Sequence, residues 1–223
     1  MFLVLAVAAN GSILFKAFGN QIFSSILAED KSIEITARTA IYIVGLANLL
    51  GAAISLWSVN TFGRRTLLLT GHTSIAIIQF ATGIFLLNHE INTAILLCYL
   101  FAFTFEVTNA LVLWMYVTET CQDVALGMSG MFMFGAVLFE AYTAFTLINE
   151  LHPSGFFFVY GIFSTLALLF TYNFIAETKG LTDKEKKELY IPGAKWGRAL
   201  RPGEVYAPKR LTNEVSHVEM GSS

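Results

Sequence analysis

The sequence predicts an all-α membrane protein with six transmembrane helices. Two observations carry this reading. Of the 223 residues, 55% are hydrophobic and only 13% are charged, the composition of a polytopic membrane protein and not of a soluble globule. The apolar residues also gather into six long runs. A hydrocarbon core about 30 Å thick takes about 20 apolar residues in a helix, and the runs fit that length. The connections between them are very short, so the six helices read as one compact bundle.

Span one covers Phe2 to Leu27. It is the most polar of the six, because it holds Asn10, Lys16, Asn20 and Gln21. It is also too long and too polar in its middle for a signal peptide, and no small-residue cleavage site stands out. A charged loop from Glu29 to Arg38 follows. Spans two and three, Ile41–Val59 and Thr66–Leu87, flank the polar knot Val59-Asn60-Thr61-Phe62-Gly63-Arg64-Arg65. After the turn Asn88-His89-Glu90, span four runs from about Thr93 to Val117 and carries Glu106. It has no proline, which predicts a regular, stiff helix. A polar loop from Thr118 to Asp123 leads to span five, Leu126 to Ile148, which carries Glu140. The turn Asn149–Ser154 contains Pro153, and span six runs from Phe156 to Ile175.

After Ala176 the composition changes sharply. Residues 1–176 form the transmembrane bundle. Residues 177–190 hold Glu177-Thr178-Lys179-Gly180 and a short surface helix, started by the capping box Thr182-Asp183-Lys184-Glu185 and reaching about Tyr190. Residues 191–223 are an extended polar tail broken by Pro192, Pro202 and Pro208. Such a tail orders where it lies against something, so a partner is expected there. Basic residues set the orientation. Arg64, Arg65 and the lysines and arginines from Lys179 onward share one side, against Lys31 and Arg38 opposite. Both termini are therefore expected on the cytoplasmic or equivalent side.

No enzyme signature is present. His72, His89, His152 and His217 are scattered, and Cys98 and Cys121 have no motif spacing. Nothing points to a metal, a cofactor or nucleic acid as a partner. The partner that the composition demands is the lipid bilayer. Asn10-Gly11-Ser12 matches a glycosylation sequon but sits inside an apolar run, so it reads as a chance match.

The arginine knot reads as a tight turn at the water surface. Gly63 is expected to let the chain bend, and Arg64 and Arg65 can fork bidentately onto carboxylates. Glu119 and Glu177 lie on the same side in the predicted topology. The alternative is that the arginines only anchor a helix at the lipid headgroups.

These motifs resemble the sugar porters of the major facilitator superfamily, the facilitative hexose transporters among them. Val59 to Arg65 is similar to their "V-[DE]-x-x-G-R-R" turn between helices eight and nine, and Glu177-Thr178-Lys179-Gly180 to the "P-E-T-K-G" after helix twelve. Phe105-Glu106-Val107, Trp114 and Glu119 match helix ten at the family's spacing, and Gly11 with Ile22-Phe23 fits helix seven. The resemblance covers about residues 1–190. It implies the C-terminal six-helix half of a twelve-helix fold, and a charge latch of Arg64, Arg65, Glu119 and Glu177. It also implies substrate contacts at Asn48, Glu106 and Trp114, with a hexose or polyol as substrate. Polar groups at mid-membrane depth are costly unless they are paired or wet. Asn48 reads equally as a helix–helix hydrogen bond, and Trp114 as a packing aromatic.

The departures from the family pattern matter as much. Val7 and Ala8 stand where the family has paired glutamines, Ile13 replaces an asparagine, and Ala17 and Phe18 replace paired tyrosines. Thr108 to Leu113 replaces the proline-containing stretch of helix ten. A site built to hydrogen-bond hydroxyls fails without its polar groups. Two further charges appear, Lys16 in span one and Glu140 in span five. Each costs about 2.5–3.5 kcal/mol at the bilayer centre. They can pair with each other, bind a partner subunit, or couple to protons, and Lys16 can snorkel. The reading is a sugar-porter-derived protein that no longer transports and serves as a structural or accessory subunit of a larger membrane complex. Alternating access rocks one half against another, and a six-helix chain is expected to lack that counterpart. The competing reading is half of a working hexose or polyol transporter, completed by a second chain, a dimer mate or a preceding half.

Overall fold

A computed structural model describes residues 2–28, 36–121 and 123–189. The predicted tail from 191 and most of the Glu29–Arg38 loop lie outside the described residues. Ten helical segments follow in order. They are α1 (Phe2–Ala8), α2 (Ser12–Leu27), α3 (Ala37–Thr61), α4 (Arg64–Leu87), α5 (Ile91–Phe105), a π-helical turn (Glu106–Ala110), α6 (Leu111–Thr120), α7 (Asp123–Glu150), α8 (His152–Phe174) and α9 (Asp183–Glu188). Six of the resulting stretches are long and apolar enough to cross a membrane, as the sequence predicted. Several begin earlier than the apolar runs do. Thr36 caps α3 by accepting from the Thr39 N–H, at 3.3 Å. Pro153 sits in the first turn of α8 instead of in the loop before it, where its missing N–H is no loss.

Helix α4 packs against α8 and α5, while α3 covers α5 and the π-turn. Lipid tails are as apolar as leucine, so helices in a membrane associate through close packing. Gly161 of α8 gives room to the Phe80 ring, and Gly83 of α4 gives room to Phe158. Phe15 ties three helices together, with ring centroids 5.4 Å from Phe101 and 6.4 Å from Phe157. The outer face belongs to α3 and α7. Only 22% and 11% of their apolar windows are buried, against 56% for α4.

Two spans depart from the expected regular helices. Span one breaks at Ala9–Gly11, where Gly11 takes φ +75 and a Cβ would stand 2.6 Å from the Tyr160 ring. The freed backbone is satisfied by buried side chains. Asn10 Oδ1 accepts from the Ser12 N–H at 3.0 Å, and Gln79 Nε2 donates to the Asn10 carbonyl at 2.7 Å. Ser164 Oγ donates to Gln79 Oε1 at 2.6 Å. Asn10 is fully buried. Span four, expected to be regular, contains the π-turn instead. Its neighbours explain how it fits. A Cβ on Gly51 would lie 2.8 Å from Glu106 Cβ, and a Cβ on Gly71 would run into Asn109 Oδ1 and Thr108 Oγ1. Two glycines on α3 and α4 thus leave space for the widened turn, a departure from α-helical geometry that needs no proline.

Candidate functional site

At the end of the bundle where α3 meets α4, the side chains singled out in the sequence converge, but not by the expected fork. Gly63 is in an extended conformation at φ −74, so any residue could adopt its backbone. The glycine leaves room for the Glu177 carboxylate, which a Cβ at this position would displace. That carboxylate binds backbone. Oε1 accepts from the Arg64 N–H at 2.8 Å and Oε2 from the Arg65 N–H at 3.2 Å, capping the N-terminus of α4. The Arg64 guanidinium makes a single bond to Glu119 Oε1, at 2.9 Å, and its Nε has no partner. Arg65 donates to the Tyr172 carbonyl at 2.9 Å and lies over the Tyr172 ring.

Three residues that the sequence reading left out complete this cluster. Thr178 Oγ1 donates to Glu119 Oε2 at 2.9 Å. Lys186 of α9 reaches Glu119 Oε1 at 3.4 Å, and Lys179 donates to the Thr61 carbonyl at 2.7 Å. Thr178 and Lys179 were within reach of sequence reasoning, since they belong to the Glu-Thr-Lys-Gly motif. Gln79 and Ser164 were missed at the helix break. The one signal for Gln79 was an amide deep inside span three, where an unpaired polar group is costly.

The second candidate region is a groove of about 650 Å³ between α2, α3, the π-turn, α6 and α7. Ile13, Leu49, Leu56, Phe105, Trp114 and Met133 are among its walls. Its charged lining residues are Lys16 and Glu106, which form an ion pair with each other. Lys16 also lies 5.1 Å from the centre of the Phe105 ring. Of the alternatives open for these two charges, a Lys16–Glu140 pair does not occur, and Lys16 pairs with Glu106 instead. Glu140 instead sits on α7, interacts electrostatically with Tyr160, and has a buried Oε2 with no partner. Trp114 faces the groove, whereas Asn48 is not among its lining residues and its Oδ1 is buried without a hydrogen bond. Among the described residues, no group of three His, Cys, Asp or Glu side chains could hold a metal ion.

Among the described residues, six helices are long and apolar enough to cross a membrane, as in an integral multi-pass membrane protein. The model of the sugar (and other) transporter family matches residues 1–190, so the chain belongs to that family of major-facilitator-type porters. Its relatives include the D-xylose-proton symporter of Escherichia coli K12, 27% identical over 69% of this chain and 33% of the symporter. A hexose transporter of Saccharomyces cerevisiae is 30% identical over 79% of this chain and 34% of its own length. A D-xylose-proton symporter-like protein of Arabidopsis thaliana is 27% identical over 79% of this chain and 38% of its own length. The chain spans about a third of the length of these curated relatives.

Proposed function

We propose that this sugar-porter-family bundle does not itself carry sugar and acts as a structural or accessory subunit of a larger membrane assembly. The carrying observation is the Lys16–Glu106 ion pair. It engages the two charged groups of a groove whose other walls are apolar. A sugar entering there meets few free hydrogen-bonding side chains, and a buried hydroxyl without a partner costs about 1–3 kcal/mol. The chain is tested in lipid nanodiscs with labelled D-xylose and D-glucose. No saturable binding is expected. Saturable binding of either sugar would overturn the transport-inactive reading. The accessory role is tested by native mass spectrometry from the source membrane, with stoichiometric partners other than porter halves as the expected result. A lone dimer, or a pairing with a second six-helix half, counts against it.

A second reading has its own support. The Arg64–Glu119–Thr178 cluster and the Glu177 cap tie three elements together by polar contacts, an arrangement of use in a protein that changes shape. On that reading the chain is half of a working porter for a hexose, polyol or pentose. Sugar uptake restored by co-expression with a complementary half is the outcome that favours it.

A further inference from the structure

We propose that the groove between α2, α3 and the π-turn binds a monocarboxylate with an apolar body, such as a medium-chain fatty acid. The inference rests on the reading that this groove is not a sugar site.

The chemistry of the walls points there. The volume, about 650 Å³, lies within the roughly 300–1,000 Å³ of small-molecule sites, which are mostly apolar with a few polar groups fixing orientation. Leu49, Leu56, Leu113 and Met133 supply aliphatic surface, and Phe105 and Trp114 supply rings. The polar group is asymmetric. Glu106 is the more enclosed member of the ion pair, with 14% of its side chain exposed, against 37% for Lys16. Both residues line the groove, and Lys16 is the more open of the two. An ammonium has three N–H donors and no acceptor, and Glu106 Oε1 takes one of them. A ligand carboxylate can share Lys16 from the open side. A ligand amine meets a like charge, and an alcohol gains less because its hydrogen bond is to one ion only. Selectivity thus comes from charge and the body of the ligand from the apolar wall.

The test uses the full chain in nanodiscs, with radiolabelled octanoate as probe and empty nanodiscs subtracted. Unlabelled octanoate is expected to displace the label, octanol to do so at least tenfold less well, and octylamine not at all. Lys16→Met alone leaves Glu106 unpaired, so Lys16→Met/Glu106→Gln is measured beside it. That double variant should lose octanoate affinity tenfold or more, while Lys16→Arg retains it within threefold. Ala52→Trp, on the exposed groove wall, should block binding without touching the ion pair. Octylamine competing as well as octanoate, or unchanged octanoate binding in the double variant, overturns the proposal. D-Xylose is added as a further competitor. If it displaces octanoate, the no-sugar reading fails while the carboxylate site stands. If neither compound binds, the carboxylate site fails and the no-sugar reading stands.

Discussion

Glu177 caps the helix that begins at Arg64, its carboxylate accepting from two successive backbone N–H groups although the two residues are 113 positions apart. A side chain from beyond the last span thereby closes the start of the third. Glu177→Ala removes both of these bonds, the bonds that the same carboxylate accepts from the Thr178 and Lys179 N–H groups, and the favourable charge at the helix N-terminus. The expected cost is about 1–2 kcal/mol, read as a lower midpoint in SDS-driven unfolding from mild detergent. Glu177→Gln should cost less, since one amide oxygen can still accept.

Gly63→Ala should act through the same contact. Its methyl group would displace the Glu177 carboxylate without straining the backbone, which is already extended. The two substitutions together should therefore cost clearly less than the sum of their separate effects. Strict additivity in a double-mutant cycle would place the glycine's role elsewhere.

Glu119 is held by Arg64, Thr178 and Lys186, whereas Arg64 makes one side-chain bond. Glu119→Ala is therefore expected to destabilise more than Arg64→Ala. Hydrogen bonds to a charged group contribute about 1.5–3 kcal/mol, and the pairwise coupling of Arg64 and Glu119 should fall at about 0.5–3 kcal/mol. The unfolding midpoints of the two single variants and the double variant give both numbers.

Gln79→Leu should be more harmful than a surface change, although it makes the span more apolar. It strips a donor from the Asn10 carbonyl and an acceptor from the Ser164 hydroxyl. Each buried group left unpaired costs about 1–3 kcal/mol. Adding Ser164→Ala to Gln79→Leu should recover part of the loss, as seen in thermal unfolding.

Gly71→Ala sets two effects against each other. Alanine favours a helix interior over glycine by about 1 kcal/mol. The new Cβ, however, meets Asn109 and Thr108, and overpacking costs about 1–3 kcal/mol. Net destabilisation is expected, with faster amide exchange confined to residues 104–112. A more stable variant would mean that the π-turn yields freely.

Much of this architecture was legible in the chain itself. Six apolar runs of bilayer length fix six spans, and Gly63-Arg64-Arg65 with Glu177-Thr178-Lys179-Gly180 names the residues that meet at one end. How they meet was not legible. An arginine beside a glutamate suggests a guanidinium fork, but the N–H groups at the start of α4 compete for the same carboxylate, and at Glu177 they win. The break at Gly11 depends on Gln79 and Ser164, which lie far along the sequence. The π-turn depends on space left by Gly51 and Gly71 on other helices. Proline-free sequence predicts a straight helix only when the neighbours leave no room for another geometry. Lys16 finds Glu106 and not Glu140 because of helix placement, which composition does not encode.

The Glu119 cluster also orders events during synthesis, because chains are made from the N-terminus. Arg64 emerges before Glu119, and Thr178 and Lys186 follow only after the sixth span. Until then the start of α4 lacks its cap and Glu119 lacks two of its three partners. The closing contacts therefore mark a finished six-helix bundle. A nascent bundle stalled before residue 177 would display uncapped amides and unpaired charges at one water surface, a feature by which cellular quality control could tell it from the completed bundle.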